Sequence, residues 1–552
     1  MTVLLRRSGD LPPTAAYDVW FHAASACGRR RDPVDPPAAR KLPQLGRRLE
    51  AAFDAVCPEW LKVGKALADD PGAELAYVTT CATYASDFGQ MMAWSRLAGE
   101  LAQESVRCLV VCDDPWLFRH LAEIPGVAAG APPPLWPTRT KLWARGVLAR
   151  LALIPRLSWA TLASRGQRRH HAPGDAVILV YGHPASDTRG YDDYFGPMMR
   201  EIPTLKRAMH TDCGAAQARA LAADGRTASL HAWGRIGWTP GLLFVRWRPR
   251  AEHRRGPLGW LVRRAAAVEG SGGAHPMNIW QRRCQEAWLN EARPKVVAWP
   301  WENQGWERGL SRQARRFGVR TAGYQHVVIG PHQLIFSPAT NRDGAASLPD
   351  TVVCDGVPFR DHLARLGVPS ARLAIGGSLR IGRIDNDLYD SKGPVFVALA
   401  ARQSIAGQQM AAVEKAAAQG FRFLIKGHPM YPMDFQETDG VRRTTAPLAK
   451  QTGLSAVFYA TGTTGLEALL AGLPAFRILP EDEIAINSLP DFIAAERVTA
   501  DGLAAALVAA TKPAPFAWER VLSEVDWPFW RRLFAGDVGA TSEAAGRKER
   551  IA

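Results

Sequence analysis

Short apolar runs that each stop at a glycine, proline or polar cluster, with helix-patterned segments between them, constrain the fold more than any other feature. Such runs occupy residues 75–80, 107–112, 176–181, 296–299 and 319–324. Most are too continuously apolar to leave one face wet, so they read as buried strands. Short strands alternating with helices build parallel α/β units, and such sheets place their ligands beyond the carboxyl ends of the strands. The polar residues after each run are therefore where chemistry is expected.

A second series of the same kind begins near Asp350. Its strands are read at Thr351–Cys354, Leu373–Ile375, 395–399, 421–425, Ala456–Tyr459 and Ala475–Ile478. The polar, turn-rich stretch 341–347 reads as a linker between two lobes. With 552 residues the chain exceeds one hydrophobic core. The division expected is 1–345, 346–512 and a helical return segment from 513, marked by Trp527, Phe529, Trp530 and Phe534, with the end past Ala540 frayed.

Eight cysteines form no CxxC pair, which favours buried free thiols over a disulfide framework or zinc site. The N-terminus lacks the apolar core of a signal peptide, and no window has the length of a membrane span. A cytoplasmic protein, in peripheral contact with the inner face of a membrane, is the expectation. The net charge of +15 attracts anions without choosing among them. Two stretches, 141–165 and 242–264, mix arginines with Leu and Trp, the latter including Trp247, Trp260 and Leu261. This suits an anionic membrane interface, and equally an amphipathic helix with a solvated basic face.

Three motifs carry candidate chemistry. In FLIKGHP a strand delivers Lys426 and His428 to its carboxyl end and Pro429 stiffens the turn. A cation and an imidazole there suit a phosphate leaving group, whose charge grows as its bond breaks. In TGTTG, spanning Thr461, Gly462, Thr463, Thr464 and Gly465, a helix start offers backbone N–H groups to an anion. Glu467 in its first turn either accepts from a ribose or favours the helix dipole. The third motif is WPWENQGWER followed by GYQH. It brings Glu302 and His326 to the ends of successive strands, where a carboxylate or imidazole takes a proton from a hydroxyl. The bland alternative is that Glu302 caps the helix and Glu307 pairs with an arginine. Asp187, Asp192 and Asp193 are alternative bases, with Asp113 and Asp114 a weaker choice. Arg402, Arg380, Arg383 and Ser378 follow further strand ends, and Arg402 is the favoured phosphate partner among the arginines. No P-loop, HExxH or GxGxxG fingerprint is present, and no nucleic-acid-binding motif supports a nucleic-acid partner.

Taken together, E-x-Q-x-W-E, GYQH, strand-DG, GGS-x-R, KGHP and TGTTGLEALLAGLP resemble the bacterial surface carbohydrate biosynthesis family over residues 176–477. That family is related in outline to bacterial sialyltransferases, Kdo transferases and teichoic-acid glycerophosphotransferases. The resemblance implies a GT-B-like fold: two Rossmann-like lobes with parallel sheets facing across a cleft. The first lobe would serve the acceptor and the second a nucleotide-sugar donor. It implies an inverting, metal-independent glycosyltransferase without a resident cofactor. The donor would carry a nonulosonic acid or Kdo-like sugar on CMP, and the acceptor would be a surface glycan, a lipid-linked glycan or a protein. His428, Pro429, Thr461, Thr463 and Thr464 match the family's nucleotide-holding elements by position. The paired acid of the relatives is absent. Asp355-Gly356 holds a single acid, so Asp355 is not assigned as base. A nucleotide-sugar 2-epimerase on the same fold, or a glycerophosphotransferase-like enzyme, is the alternative.

Overall fold

The computed structural model describes residues 3–10, 15–27, 40–384, 388–429, 431–514 and 516–537. The end past Ala540 lies outside them. Among the described residues, eighteen strands form three sheets, and every strand pair within them is parallel. The first sheet holds β1 (Val3–Arg6), β2 (Val19–His22), β3 (Arg40–Lys41), β4 (Cys108–Val111) and β5 (Val127–Ala129), in the order β3-β2-β4-β1-β5.

The second sheet holds β6 (Ala176–Val180), β7 (Lys206–Met209), β8 (Thr227–Ser229), β9 (Val296–Pro300), β10 (Arg320–Tyr324), β11 (Thr351–Cys354) and β12 (Leu373–Ile375). Its order, β8-β7-β6-β9-β10-β11-β12, is the Rossmann order 3-2-1-4-5-6 with one strand added. The third holds β13 (Val395–Ala398), β14 (Phe423–Lys426), β15 (Val441–Arg443), β16 (Ala456–Tyr459), β17 (Ala475–Ile478) and β18 (Glu496–Val498). Its order, β15-β14-β13-β16-β17-β18, is the same Rossmann order without addition. Two such sheets in tandem are the GT-B architecture expected from the motifs. Each has a switch point where the chain reverses its direction of growth, between β6 and β9 and between β13 and β16. Ligands of open α/β sheets bind at such points.

The structure differs from the sequence expectation in four places. The strands β11 and β12 pair with β10 and close the middle sheet, so the chain crosses into the third sheet only after Ile375. The stretch 341–347 is correspondingly no linker. It is folded into the middle unit, where the Asn303 amide donates to Asn341 Oδ1 at 3.2 Å. Residues before 130 form a sheet of their own rather than part of one N-terminal lobe. The run 75–80 is not a strand but a 3-10 turn followed by tight turns. There the Glu269 carboxylate takes the N–H groups of Tyr77 and Val78, and Thr79 bonds back to the carbonyls of Ala73 and Ala76. A carboxylate distant in sequence and the local back-bonding of Thr79 thus replace strand pairing.

The first unit is fastened to both others. Glu50, on the helix Leu45–Leu67, is buried and bonds Arg477 of β17 and Arg497 of β18. Glu74 bonds Arg282 and Arg312 of the middle unit. The fully buried Arg264 bonds Asp114 at 2.7 Å and Asp87. Asp114 also caps the helix Pro115–Leu121, and Asp113 accepts from the backbone and hydroxyl of Ser8. Both acids are therefore committed to the fold. The return segment is present as the helix Trp527–Ala535, which carries the chain back onto the middle sheet. Its Trp530 is buried against Tyr324 and Phe195 and donates to the Gly376 carbonyl at 3.0 Å. All eight cysteines are free thiols.

Gly465 shows how tightly the third unit is packed. Any Cβ there would run into the ring of buried Tyr459 at the end of β16. Gly465→Ala is expected to destabilise the protein by about 1–3 kcal/mol, the usual cost of overpacking a rigid neighbour. Thermal or urea melting beside the wild type checks this.

Candidate active site

The middle half of the site begins where β9 stops. Trp301 donates its N–H to the Tyr324 carbonyl at 2.7 Å, and the chain then turns through Glu302, Asn303 and Gln304 into the helix Gly305–Arg316. Buried Glu307 pins that turn. Its carboxylate accepts the N–H groups of Glu302 at 3.0 Å and Asn303 at 2.8 Å, instead of pairing with an arginine. Asn303 sits at φ 58°, a left-handed conformation that non-glycine residues seldom adopt. It is held by its own amide, which donates to the Ile335 carbonyl at 2.8 Å, and by Arg308, which donates to its carbonyl at 2.9 Å. Strain kept in place this way clusters at functional sites.

The turn aims Glu302 at His326. Its Oε1 lies 3.6 Å from His326 Nε2, and its Oε2 accepts from the Gln304 amide at 2.5 Å. Burial raises the Glu302 carboxyl above the ordinary range, opposed by the Gln304 hydrogen bond and the Arg380 charge. Burial also pushes the His326 imidazole well below its ordinary range, and Arg380 adds to this. The result is an imidazole held toward its neutral form beside a carboxyl group whose proton affinity burial raises.

Aromatic rings wall this pair. Tyr194 meets the His326 ring edge-on at 5.2 Å, and Tyr181 lies 5.7 Å from Tyr194. Tyr84 comes from the first unit. It is 48% exposed, and its main-chain carbonyl accepts from Arg402 at 3.4 Å.

The three acids of the loop after β6 divide. Asp187 accepts the N–H groups of Arg189 and Tyr191, and Asp192 those of Tyr194 and Phe195 with the Ser186 hydroxyl. Both shape the loop and are removed as candidate bases. Asp193 faces the cleft, 3.5 Å from His183 Nδ1 and 3.6 Å from the Arg380 guanidinium.

Arg380 belongs to the loop that leaves β12. It donates to the His326 carbonyl at 3.2 Å and lies over the Tyr194 ring at 5.4 Å. Its loop is fixed by a relay: buried Asp355 accepts from the Tyr324 hydroxyl at 2.6 Å, and that oxygen accepts the Leu379 N–H at 2.9 Å. Asp355 thus positions the loop through the Tyr324 hydroxyl. Gly377 gives the loop its φ of 81° and passes so close to the Glu524 carbonyl that a Cβ has no room. Ser378 is also a structural turn residue here, its hydroxyl accepting the Ile381 N–H at 3.1 Å.

The third sheet supplies the other half. Burial raises Glu467, and the charges of Arg380 and Lys426, then a hydrogen bond with Thr463, oppose it. Glu467 lies in the first turn of the helix Thr464–Leu470, which follows β16, and Lys426 closes β14. Thr461, Thr463 and Thr464 are partly buried there, while exposed Gly462 donates its N–H to Ser488 at 3.0 Å. His428 is half-buried, which lowers its imidazole pKa, and its ring lies 5.5 Å from that of Tyr431. Pro429 follows it at the surface.

Arg402 stands apart from this cluster. It lies 3.7 Å from Glu483 and donates to the Tyr84 carbonyl at 3.4 Å. With Asp87, Glu269, Ser86 and Ser404 it lines a cavity of about 360 Å³ between the first and third units. Arg383 is peripheral, paired with Glu519 and Glu524. Of the arginines weighed in the sequence, Arg380 is the one at the centre, and the GGS-x-R spacing was its signal. Tyr84 and Tyr194 carried no such signal. Among the described residues no group of three or more His, Cys, Asp or Glu is placed to hold a metal ion.

No family model matches the chain, and no curated protein matches it. Among solved structures, the glycotransferase of kitacinnamycin is similar, with 13% identity, 67% of this chain and 96% of that chain covered, and a TM-score of 0.38. S. aureus MnaA with UDP shows 10% identity, coverage of 66% and 98%, and a TM-score of 0.39. UDP-GlcNAc 2-epimerase from Neisseria meningitidis bound to UDP-GlcNAc shows 13% identity, coverage of 55% and 82%, and a TM-score of 0.32. Likenesses of this size settle neither activity nor substrate.

Two carboxyls, buried Asp355 and partly buried Glu269, set a pH dependence. Burial lifts Asp355 and Glu269 to about 7 each. Each is protonated more readily in the folded protein than in the unfolded chain. Their contribution to stability is therefore complete below the unfolded values near 4 and is lost as the pH rises through about 7. The melting temperature is expected to fall between pH 5.5 and 8, and Glu269→Gln to flatten that fall. A melting series over this range checks the sign.

Proposed function

We propose that the protein is a glycosyltransferase that moves a sugar from a nucleotide-linked donor to a hydroxyl acceptor by a single inverting displacement. One observation carries the reading. The Glu302–His326 pair stands at strand ends of the middle sheet with the Arg380 guanidinium bonded to the His326 carbonyl, while Lys426 and the helix start at 461–465 stand at strand ends of the third sheet. The donor phosphate would lie at residues 461–465, with Lys426, Arg380 and His428 meeting the charge that grows as its bond to the sugar breaks. Glu302 would take the acceptor hydroxyl proton as that oxygen bonds the anomeric carbon, with neutral His326 aligning the carboxylate. The leaving nucleotide keeps the electron pair of the broken bond, and attack from the opposite face inverts the centre.

The acceptor side would be the cavity beside Arg402, which adjoins Glu302 through the Tyr84 segment. An acidic sugar, a nonulosonic acid or Kdo-like ketose on CMP, is the proposed donor, its carboxylate suited to Arg380. Surface glycans, or glycans carried on lipid or protein, are the proposed acceptors.

Melting in the presence of CMP, UDP, GDP or CDP tests the donor half. Ligand at a hundredfold excess over Kd adds about 2.7 kcal/mol, which raises the melting temperature by some degrees. Arg380→Met is expected to erase that rise. Glu302→Gln should keep the rise and lower kcat by about 100-fold or more. His428→Ala should lower kcat about 100-fold through the leaving group. Epimerised donor formed without any acceptor would reject transfer in favour of isomerisation.

A further inference from the structure

The helix Leu135–Ser164 runs 30 residues, about 45 Å, along the outside of the molecule. It buries one stripe that includes Leu142, Gly146, Leu153, Leu157, Ala160 and Ser164. The rest of an ordinary surface helix would be polar. Here the far side carries Trp136, Trp143 and Trp159, exposed by 72%, 59% and 62%, with Leu148, Leu151 and Leu162 also exposed. At 100° per residue these six fall within an arc of roughly 160°, turned away from the buried stripe. The turn Pro240–Phe244 packs against the same helix and adds Phe244, 77% exposed. Single exposed apolar residues are common on proteins, but a contiguous apolar patch of this kind marks an interaction surface.

Charge selects the occupant. The helix contains no aspartate or glutamate, and exposed Arg139, Lys141 and Arg145 flank the apolar arc. Two copies of the chain meeting face to face would bring like charges together. An anionic bilayer satisfies both features: indoles sit at the headgroup level and arginine and lysine pair with lipid phosphate. No described helix is long and apolar enough to cross a membrane, so the contact lies along the surface. The other arginine-rich stretch does not contribute in the same way. Its Trp247, Trp260 and Leu261 are core residues packed against the first unit.

We propose that this face docks the protein on an anionic lipid surface, with the helix lying in the plane of the headgroups. The proposal stands on the helix alone and does not depend on the glycosyltransferase reading.

Vesicle flotation with the full chain tests it. Vesicles of phosphatidylcholine with about a third phosphatidylglycerol should carry the protein, phosphatidylcholine alone about tenfold less, and high salt should release it. The triple variant Trp143→Ser, Leu148→Ser, Trp159→Ser should lose at least about tenfold in binding with its melting temperature unchanged. Arg139→Glu with Arg145→Glu should do the same for anionic vesicles. Failure to float with anionic vesicles would overturn the proposal, as would unchanged binding by the triple variant. So would sedimentation as a dimer that the triple variant abolishes, since a second copy would then own the face.

Discussion

Arg380 is the residue on which the site depends. Its guanidinium donates to the His326 carbonyl, faces Asp193 across 3.6 Å and lies over the Tyr194 ring. A single side chain thus gathers three groups at the strand ends of the middle sheet. These several contacts favour a fixed position over a mobile one. The loop that carries it is in turn set by buried Asp355 through the Tyr324 hydroxyl and by the return helix, whose Trp530 bonds Gly376. Packing of the C-terminal segment is therefore coupled to the electrostatics of the cleft.

The same coupling explains the division of labour among the acids. Glu307, Asp192, Asp187 and Asp114 each accept backbone N–H groups and so hold a turn or a helix start. Glu302 instead points its carboxylate at a histidine bordered by Tyr194, with Tyr181 behind it. Neighbouring carboxylates in one fold thus take different roles according to what their oxygens already hold.

Much of this was legible in the residues. Continuous apolar runs such as AVILV identify doubly covered parallel strands, and the polar groups after them do line the switch points. KGHP, TGTTG and the Glu302 to His326 pairing were visible because strand ends are short and locally encoded. What stayed hidden depends on distant contacts. The run 75–80 has strand composition but is captured by the carboxylate of Glu269, nearly two hundred residues away. The strands β11 and β12 look like the start of a new series, and only their pairing with β10 assigns them to the middle sheet. Tyr84 sits in an unremarkable stretch and meets Arg402 only because the first unit is clamped between the other two through Glu50 and Glu74. The exposure of Trp136, Trp143 and Trp159, against the burial of Trp247 and Trp260, likewise follows from which helix faces are covered, which composition alone does not encode.

The central claim is that the two switch points form one nucleotide site. The most direct measurement is a crystal structure of the protein with whichever nucleoside diphosphate or monophosphate it binds. The account predicts phosphate oxygens against the backbone of Thr463 to Gly465 and the ammonium of Lys426, with the Arg380 guanidinium beside them and Glu302 facing the open side. Nucleotide bound instead in the cavity of Arg402 and Glu483, or at the first sheet, would contradict it.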